Sequence, residues 1–240
     1  MTKRAGVIGH PLGHTVSPAM YNAAFQAAGI DAAYEAWDTP ADTLEGRINA
    51  LRGGDFLGAN VTIPHKEAVI ALCDEVEEVA ARAGSVNTLV VRDDAVVGSS
   101  TDGLAVASQI ESNGLKVLVL GTGGASKAVA AALEDAGAKV VVRGRRDPGW
   151  PPSADGFDVL VNATPVKDDV VVAPHPGMQV VDLAYRPDGR PTALVAAACE
   201  IDCPCVDGLD VLLAQGVASF ERWTGQAAPV RAMRAALRSA

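Results

Sequence analysis

The chain has 240 residues, 49% of them hydrophobic and 20% charged, enough to bury one large core or two small ones in a soluble globular protein. Its formal net charge of −9 excludes a general nucleic-acid surface, which would be basic, but leaves room for local cationic pockets that hold anions. No apolar stretch is long enough to span a bilayer, and the first apolar run is broken by His10 and Pro11 short of a signal-peptide core, so a cytoplasmic protein with no membrane and no nucleic-acid partner is expected.

In chain order, AGVIGH reads as a first strand and SPAMYNAAFQAAGI as a helix, with Ser17 a natural N-cap and Pro18 at the first helical position. AAYEAWD is a strand, ADTLEGRINALRGG a helix closed by glycine, and FLGANVTI a third strand. HKEAVIALCDEVEEVAARAG holds one or two helices, and SVNTLVVRDDAVVGSS is a hairpin turning at Asp93-Asp94. A helix is expected from Asp102 to about Asn113. KVLVLGTGGASKAVAAALEDAGAKVVVRGRR then gives strand, glycine turn, helix and strand, FDVLVNATP and MQVVDLAY add two strands, and two helices finish the chain. Strands and helices alternate almost throughout, so the fold class is α/β with mostly parallel sheets covered by helices.

Of Cys73, Cys199, Cys203 and Cys205, the last three lie close together but lack a fourth ligand and a familiar zinc spacing, so the cysteines read as reduced, structural or incidental thiols. His10 and His14 are separated by Pro11 and Gly13, which rules out a helical ligand pair, so no metal is expected.

In VLVLGTGGASKAVAAAL, Gly121 and Gly123 take the first two places of the dinucleotide fingerprint and Ser126 the third. Glycines there permit a tight turn and close approach to a pyrophosphate, which free N–H groups and the helix dipole attract. The following strand ends in Arg143, Gly144, Arg145 and Arg146, where an NAD site would place an acid. Guanidinium groups, Arg145 and Arg146 foremost, suit a 2′-phosphate instead, so NADP is the expected cofactor.

GANVTIPHKEA carries a second signal. Asn60 and Thr62 share one face of a strand, and Lys66 follows beyond its carboxyl end, where parallel sheets place ligands. Asn87 starts another strand, and Thr15 and Ser17 follow the first. Together these groups could hold a small ligand rich in hydroxyls. Each has a plainer reading: Ser17 as a helix cap, Asn60 and Asn87 as turn residues, Lys66 as an exposed lysine. A lysine in a first helical turn would have a lowered pKa and could move a proton, with Asp102 its natural partner.

The segments GHPLGHTVSPAMYNAAF, GANVTIPHKEA, AGSVNTLV, STDG, LGTGGASKAVAAAL, VNATP, VDLAY and DGLDVLLAQGVASFERWTG, in that order, resemble the shikimate dehydrogenase family over nearly the whole chain. The resemblance implies two domains: a substrate domain over 1–101, completed by C-terminal helices in 209–240, and a Rossmann-like NADP domain over 102–208. It implies reversible reduction of 3-dehydroshikimate to shikimate in aromatic amino-acid biosynthesis, by a monomer or homodimer. Carried over by motif, Lys66 and Asp102 are the catalytic pair. Thr15, Ser17, Asn60, Thr62, Asn87 and Gln215 line the substrate site, and Tyr185 adds a hydroxyl near the substrate carboxylate. Gly121, Thr122, Gly123, Gly124, Ala125, Ser126, Arg145 and Arg146 hold the dinucleotide, while Thr164, Leu183 and Gly208 surround its ribose and nicotinamide.

Four departures stand out. Thr15 replaces the family's usual serine, Gly144 replaces the Asn of its usual NRT, Ser100 replaces the Asn before Thr101-Asp102, and the stretch between GRR and FDVLVNATP is short. The alternatives are a quinate or aminoshikimate dehydrogenase with relaxed cofactor use, and a non-catalytic NADP-binding metabolite sensor.

Overall fold

The computed structural model describes residues 2–13 and 15–239; His14, considered above as a metal ligand, lies outside them. The chain divides into two compact units, one within residues 1–101 and 215–240, the other of residues 102–214.

In the first unit β1 (Lys3–Gly9), β2 (Ala32–Asp38), β3 (Phe56–Val61), β4 (Glu75–Val76), β5 (Thr88–Arg92) and β6 (Ala95–Ser99) form a six-stranded sheet of order β2-β1-β3-β5-β6-β4. β2, β1 and β3 run parallel, and β5 is antiparallel to both β3 and β6. The carboxyl ends of β1, β2, β3 and β6 and the amino end of β5 therefore meet at one edge of the sheet. α2 (Leu44–Leu51) buries Leu44, Ile48 and Leu51 against Ile8, Val61 and Leu89 on one face. On the other face lie α1 (Ser17–Ala28) and part of the last helices, where Tyr21 stacks on Tyr34 at 4.3 Å and Phe25 meets Phe220 at 5.7 Å. Aromatic pairs of this kind add to the area they bury.

Two local expectations change. Ser17 is not the N-cap of α1: Val16 holds that place, no side chain caps it, and Ser17 begins the helix. The stretch 65–84 is a 3₁₀ turn (Ala68–Leu72), the short strand β4 and the six-residue helix α3 (Glu78–Ala83). Lys66 precedes that 3₁₀ turn, so the helix-dipole argument for it does not apply.

In the second unit β7 (Lys116–Leu120), β8 (Lys139–Arg143), β9 (Val159–Asn162), β10 (Gln179–Asp182) and β11 (Cys205–Val206) form an all-parallel sheet of order β11-β10-β9-β7-β8. Alternate β7 residues feed two cores, as a sheet buried on both faces requires. Val117 and Val119 face α4 (Asp102–Ala107) and α5 (Gly124–Asp135), while Leu118 and Leu120 face α6 (Ala193–Glu200). The β8–β9 connection carries no helix among its described residues; Trp150, Ala154 and Phe157 cover the sheet there.

α7 (Gly208–Thr224) starts in the second unit and continues in the first, followed by α8 (Val230–Ser239). Among the described residues no helix is long and apolar enough to cross a membrane. The four cysteines are free, and no described cluster of three His, Cys, Asp or Glu could hold a metal.

Candidate active site

Three connections, after β1, after β3 and before β5, bring the predicted polar residues Thr15, Ser17, Thr62, Lys66 and Asn87 to the shared edge of the six-stranded sheet. After β1, the loop that carries Thr15 is pinned by Asp38 at the end of β2. The Asp38 Oδ1 accepts the Leu12 N–H at 2.7 Å, and that bond holds the Asp38 carboxyl below its usual pKa. Thr15 Oγ1 accepts the Ser17 N–H at 3.3 Å. Because Ser17 caps nothing, its own hydroxyl, 8% exposed as part of a buried residue, is not spent on the helix start.

Thr62 and Lys66 follow β3. His65 between them is buried, with Nε2 2.6 Å from the Thr39 carbonyl, and the Lys66 carbonyl accepts the Val86 N–H at 2.8 Å. The backbone on both sides of the lysine is therefore tied to neighbouring segments. Asn87, next after Val86, is 4% exposed; its Oδ1 accepts the Thr101 N–H at 2.7 Å and its Nδ2 donates to Thr101 Oγ1 at 2.9 Å.

The Asn60 amide faces inward. Its Oδ1 accepts the Tyr34 hydroxyl at 2.8 Å, and its Nδ2 donates to Ser219 Oγ at 3.0 Å and lies 3.3 Å from Thr88 Oγ1. Thr88 and Ser219 are 2.9 Å apart, and burial raises the Tyr21 pKa although Ser219 and Asn60 bond its hydroxyl. Ser219 is one turn beyond Gln215 on the same helix face. The α-carbon of Gly216 lies against α1; a β-carbon there would come 2.4 Å from Met20 Cε, so α7 sits close to the helix that Ser17 begins.

In the second unit, Asp102 is the first residue of α4 and only 1% exposed. Gly103 lets α4 approach α5 closely, since a β-carbon would fall 2.2 Å from the Ala128 carbonyl oxygen.

The glycine turn lies between β7 and α5, where the strand order reverses, the place at which doubly wound sheets bind ligands. Gly121 has φ +115°, and a β-carbon there would meet Ser126 Oγ at 2.6 Å. A β-carbon at Gly123 would meet nothing within 4 Å, which leaves its backbone open to a ligand. Among the described residues no side chain caps α5, none in its first turn is acidic, and the buried Ser126 Oγ has no partner. Unpaired donors at a helix N-terminus, backed by an orphaned hydroxyl, fit a pyrophosphate. Thr122, Gly124 and Ala125 complete that turn, and Arg145 and Arg146 are exposed after β8.

Thr164 follows β9 and Leu183 follows β10. Thr164 Oγ1 donates to Asn162 Oδ1 at 2.7 Å, and Asn162 Nδ2 donates to Asp182 Oδ1 at 2.9 Å. Gly208 packs its α-carbon on the Ala184 carbonyl beside Tyr185, so Tyr185 belongs to the second unit. The remaining predicted substrate residues and Lys66 lie in the first unit, and Asp102 and the predicted cofactor residues in the second.

Sequence reasoning passed over His65, Thr101, Ser219, Asn162 and Asp182. For two of them a signal was present: Asn162 ends a strand of otherwise apolar residues, and Asp182 ends β10 directly after two valines.

A parallel sheet with a bare glycine turn at its reversal point, followed by arginines, defines a dinucleotide-dependent oxidoreductase. Residues 7–89 match the model of the shikimate dehydrogenase substrate binding domain, and residues 208–238 that of the shikimate 5′-dehydrogenase C-terminal domain. The chain is 38% identical to the shikimate dehydrogenase (NADP(+)) of Rubrobacter xylanophilus, covering 98% of this chain and 95% of the relative. It is 36% identical to the enzyme of the same name from Pyrococcus furiosus, covering 97% and 94%. The crystal structure of shikimate 5-dehydrogenase from Thermus thermophilus in complex with NADP(H) and shikimate superposes with a TM-score of 0.86, at 34% identity and 99% coverage of both chains. The chain belongs to the shikimate dehydrogenase family.

Proposed function

We propose that the chain is an NADP-dependent shikimate dehydrogenase whose first unit holds shikimate or 3-dehydroshikimate and whose second unit holds NADP. The observation that carries this reading is the gathering of Thr15, Ser17, Thr62, Lys66 and Asn87 at one edge of the six-stranded sheet, opposite in character to its apolar faces.

A hydroxylated ring acid needs several donors and acceptors held at fixed places. Thr15 and Ser17 take the carboxylate end, joined by the Tyr185 hydroxyl. Thr62, Asn87 and Gln215 bind ring hydroxyls. Asn60, with its amide engaged by Tyr34 and Ser219, supports this wall from behind.

Gly121, Thr122, Gly123, Gly124, Ala125 and Ser126 hold the pyrophosphate, Arg145 and Arg146 the 2′-phosphate, and Thr164, Leu183 and Gly208 the ribose and nicotinamide. NADP bound there supplies or accepts the hydride. Lys66 gives a proton to the substrate oxygen as the ketone is reduced, and receives it back when the alcohol is oxidised. Asp102 is the second member of the proposed catalytic pair. Such proton transfer contributes on the order of 10²–10⁴ in rate.

The test is a set of steady-state assays with shikimate and quinate, each with NADP and with NAD. Shikimate with NADP is expected to give the highest kcat/KM. A preference for quinate would overturn the substrate assignment, with the extra methyl of Thr15 the first place to look, and a preference for NAD would overturn the cofactor assignment.

A further inference from the structure

The arginines after β8 sit on a turn that is closed from both sides. The Asp147 N–H donates to the Gly144 carbonyl at 2.9 Å, and the Gly144 N–H donates to Asp147 Oδ2 at 2.8 Å. Arg145 and Arg146 are the two residues between these bonds, and both are exposed. The turn is also held against the glycine loop. The Gly121 N–H donates to the Arg143 carbonyl at 2.7 Å, and a β-carbon at Gly144 would lie 2.5 Å from Thr122 Cγ2. The Thr122 methyl occupies the space that a side chain at position 144 would need.

We propose that Asp147 is a positioning residue for the 2′-phosphate of NADP, acting by closing the turn that presents Arg145 and Arg146. This rests on the assignment of NADP to the second unit. Long basic side chains lose rotamer freedom when they clamp a phosphate, so a backbone fixed beforehand leaves less to order on binding. A carboxylate beside a phosphate site also has a cost, because it repels the anion. The structure explains its presence: Asp147 Oδ2 satisfies the N–H of buried Gly144, a donor that burial removes from water. Capping and repulsion act in opposite directions on NADP affinity, and two substitutions separate them.

Asp147→Asn keeps an acceptor oxygen and removes the charge. Asp147→Ala removes both. Binding of 2′,5′-ADP and of 5′-AMP to the full chain, measured by calorimetry, reports affinity with and without the 2′-phosphate. Asp147→Ala is expected to weaken 2′,5′-ADP by about fivefold, the scale of one lost hydrogen bond, and to reduce the preference over 5′-AMP in proportion. Asp147→Asn is expected to bind 2′,5′-ADP at least as tightly as the parent, which is rescue by the conservative variant. If both variants bind 2′,5′-ADP more tightly, the carboxylate acts only by repulsion and the proposal fails. If Asp147→Ala weakens both ligands equally, the turn serves general stability and the proposal also fails. The variant with Arg145→Ala and Arg146→Ala separates this result from the cofactor assignment. If that variant keeps full preference for 2′,5′-ADP, the NADP reading of the turn is wrong; if it loses the preference while Asp147→Ala keeps it, the positioning role alone is wrong.

Discussion

Asn87 clips Thr101 in place: one side-chain amide accepts the Thr101 N–H at 2.7 Å and donates to its hydroxyl at 2.9 Å. Thr101 is the last residue before Asp102, and Val86, the residue before Asn87, bonds the Lys66 carbonyl at 2.8 Å. Two adjacent residues thus hold the backbone at one proposed catalytic residue and the backbone leading to the other. Asn87→Ala would leave the buried Thr101 N–H without its acceptor, at about 1–3 kcal/mol of stability. It should also lower kcat by roughly a hundredfold, the effect of misplacing a catalytic group by about an ångström. Thr101→Val keeps the backbone bond and should be milder on both counts. Thermal unfolding beside steady-state kinetics checks this; equal effects from the two substitutions would contradict it.

Lys66→Ala tests the proton step more directly. The expected loss in kcat is on the order of 10²–10⁴, the usual contribution of a positioned acid or base. Shikimate affinity, followed by equilibrium binding, should change little, since the hydroxyls and amides of the wall remain. Turnover close to that of the parent would show that Lys66 is not the group that moves the proton, whereas a parent chain that binds shikimate and NADP without turning them over would favour the metabolite-sensor reading.

Much of the fold was legible because the signals were local. The strand AAYEAWD coincides with β2, and the turn at Asp93-Asp94 is real, with φ of 48° and 65° at those residues. The stretch 65–84 was not legible, because long-range pairing decides it. Glu75 and Val76 pair with Val97 and Gly98, and Asp74 accepts the Val96 N–H at 2.8 Å, which pulls a helix-forming sequence into an edge strand. The helix from Asp102 stops at Ala107 rather than near Asn113. Ser108 Oγ and Gln109 Nε2 both bond the Ala105 carbonyl, at 3.2 Å and 3.0 Å, and so compete for an acceptor the next turn would use.

The site followed the same division. Lys66, Asn87 and Asp102 stand in recognisable motifs. Their supports do not: Ser219 reaches Asn60 across 159 positions, and Asp182 reaches Asn162 across 20. Ser17 was misread as a cap because Ser before Pro at a helix start is a strong local pattern, and only the backbone shows that the helix begins one residue early.

Gly103→Ala is predicted to be among the more damaging single-methyl changes. The new carbon would lie 2.2 Å from the Ala128 carbonyl oxygen and 2.7 Å from Ala132 Cβ, and a backbone atom cannot turn aside. α4 would have to move off α5, at a cost of about 1–3 kcal/mol for overpacking, carrying Asp102 at its first residue with it. A lowered unfolding midpoint with a fall in kcat larger than the change in shikimate KM is expected. An unchanged midpoint would mean that the two helices are not in this contact.

Asp182 gives the chain a pH signature. Its carboxylate is fully buried, and desolvation raises its pKa above the ordinary 3.8 despite bonds from Thr192, the Ala184 N–H and Asn162. A raised folded-state pKa means that the folded chain holds the proton more tightly than the unfolded chain does. Its contribution to stability is therefore full below the unfolded pKa and is lost as pH rises through the folded one. Asp38 and Asp74 act in the opposite sense: backbone N–H groups lower their pKa, and their contributions are lost as pH falls. Only a difference measurement isolates Asp182. Asp182→Asn keeps an acceptor for Asn162 Nδ2 and the Ala184 N–H, both at 2.9 Å, and cannot ionise. Relative to the parent, the variant should gain stability as pH rises from below 3.8 toward neutrality, measured by denaturant unfolding at a series of pH values. A difference that is flat across that range, or that slopes the other way, would show that the fold does not disfavour the charge at Asp182.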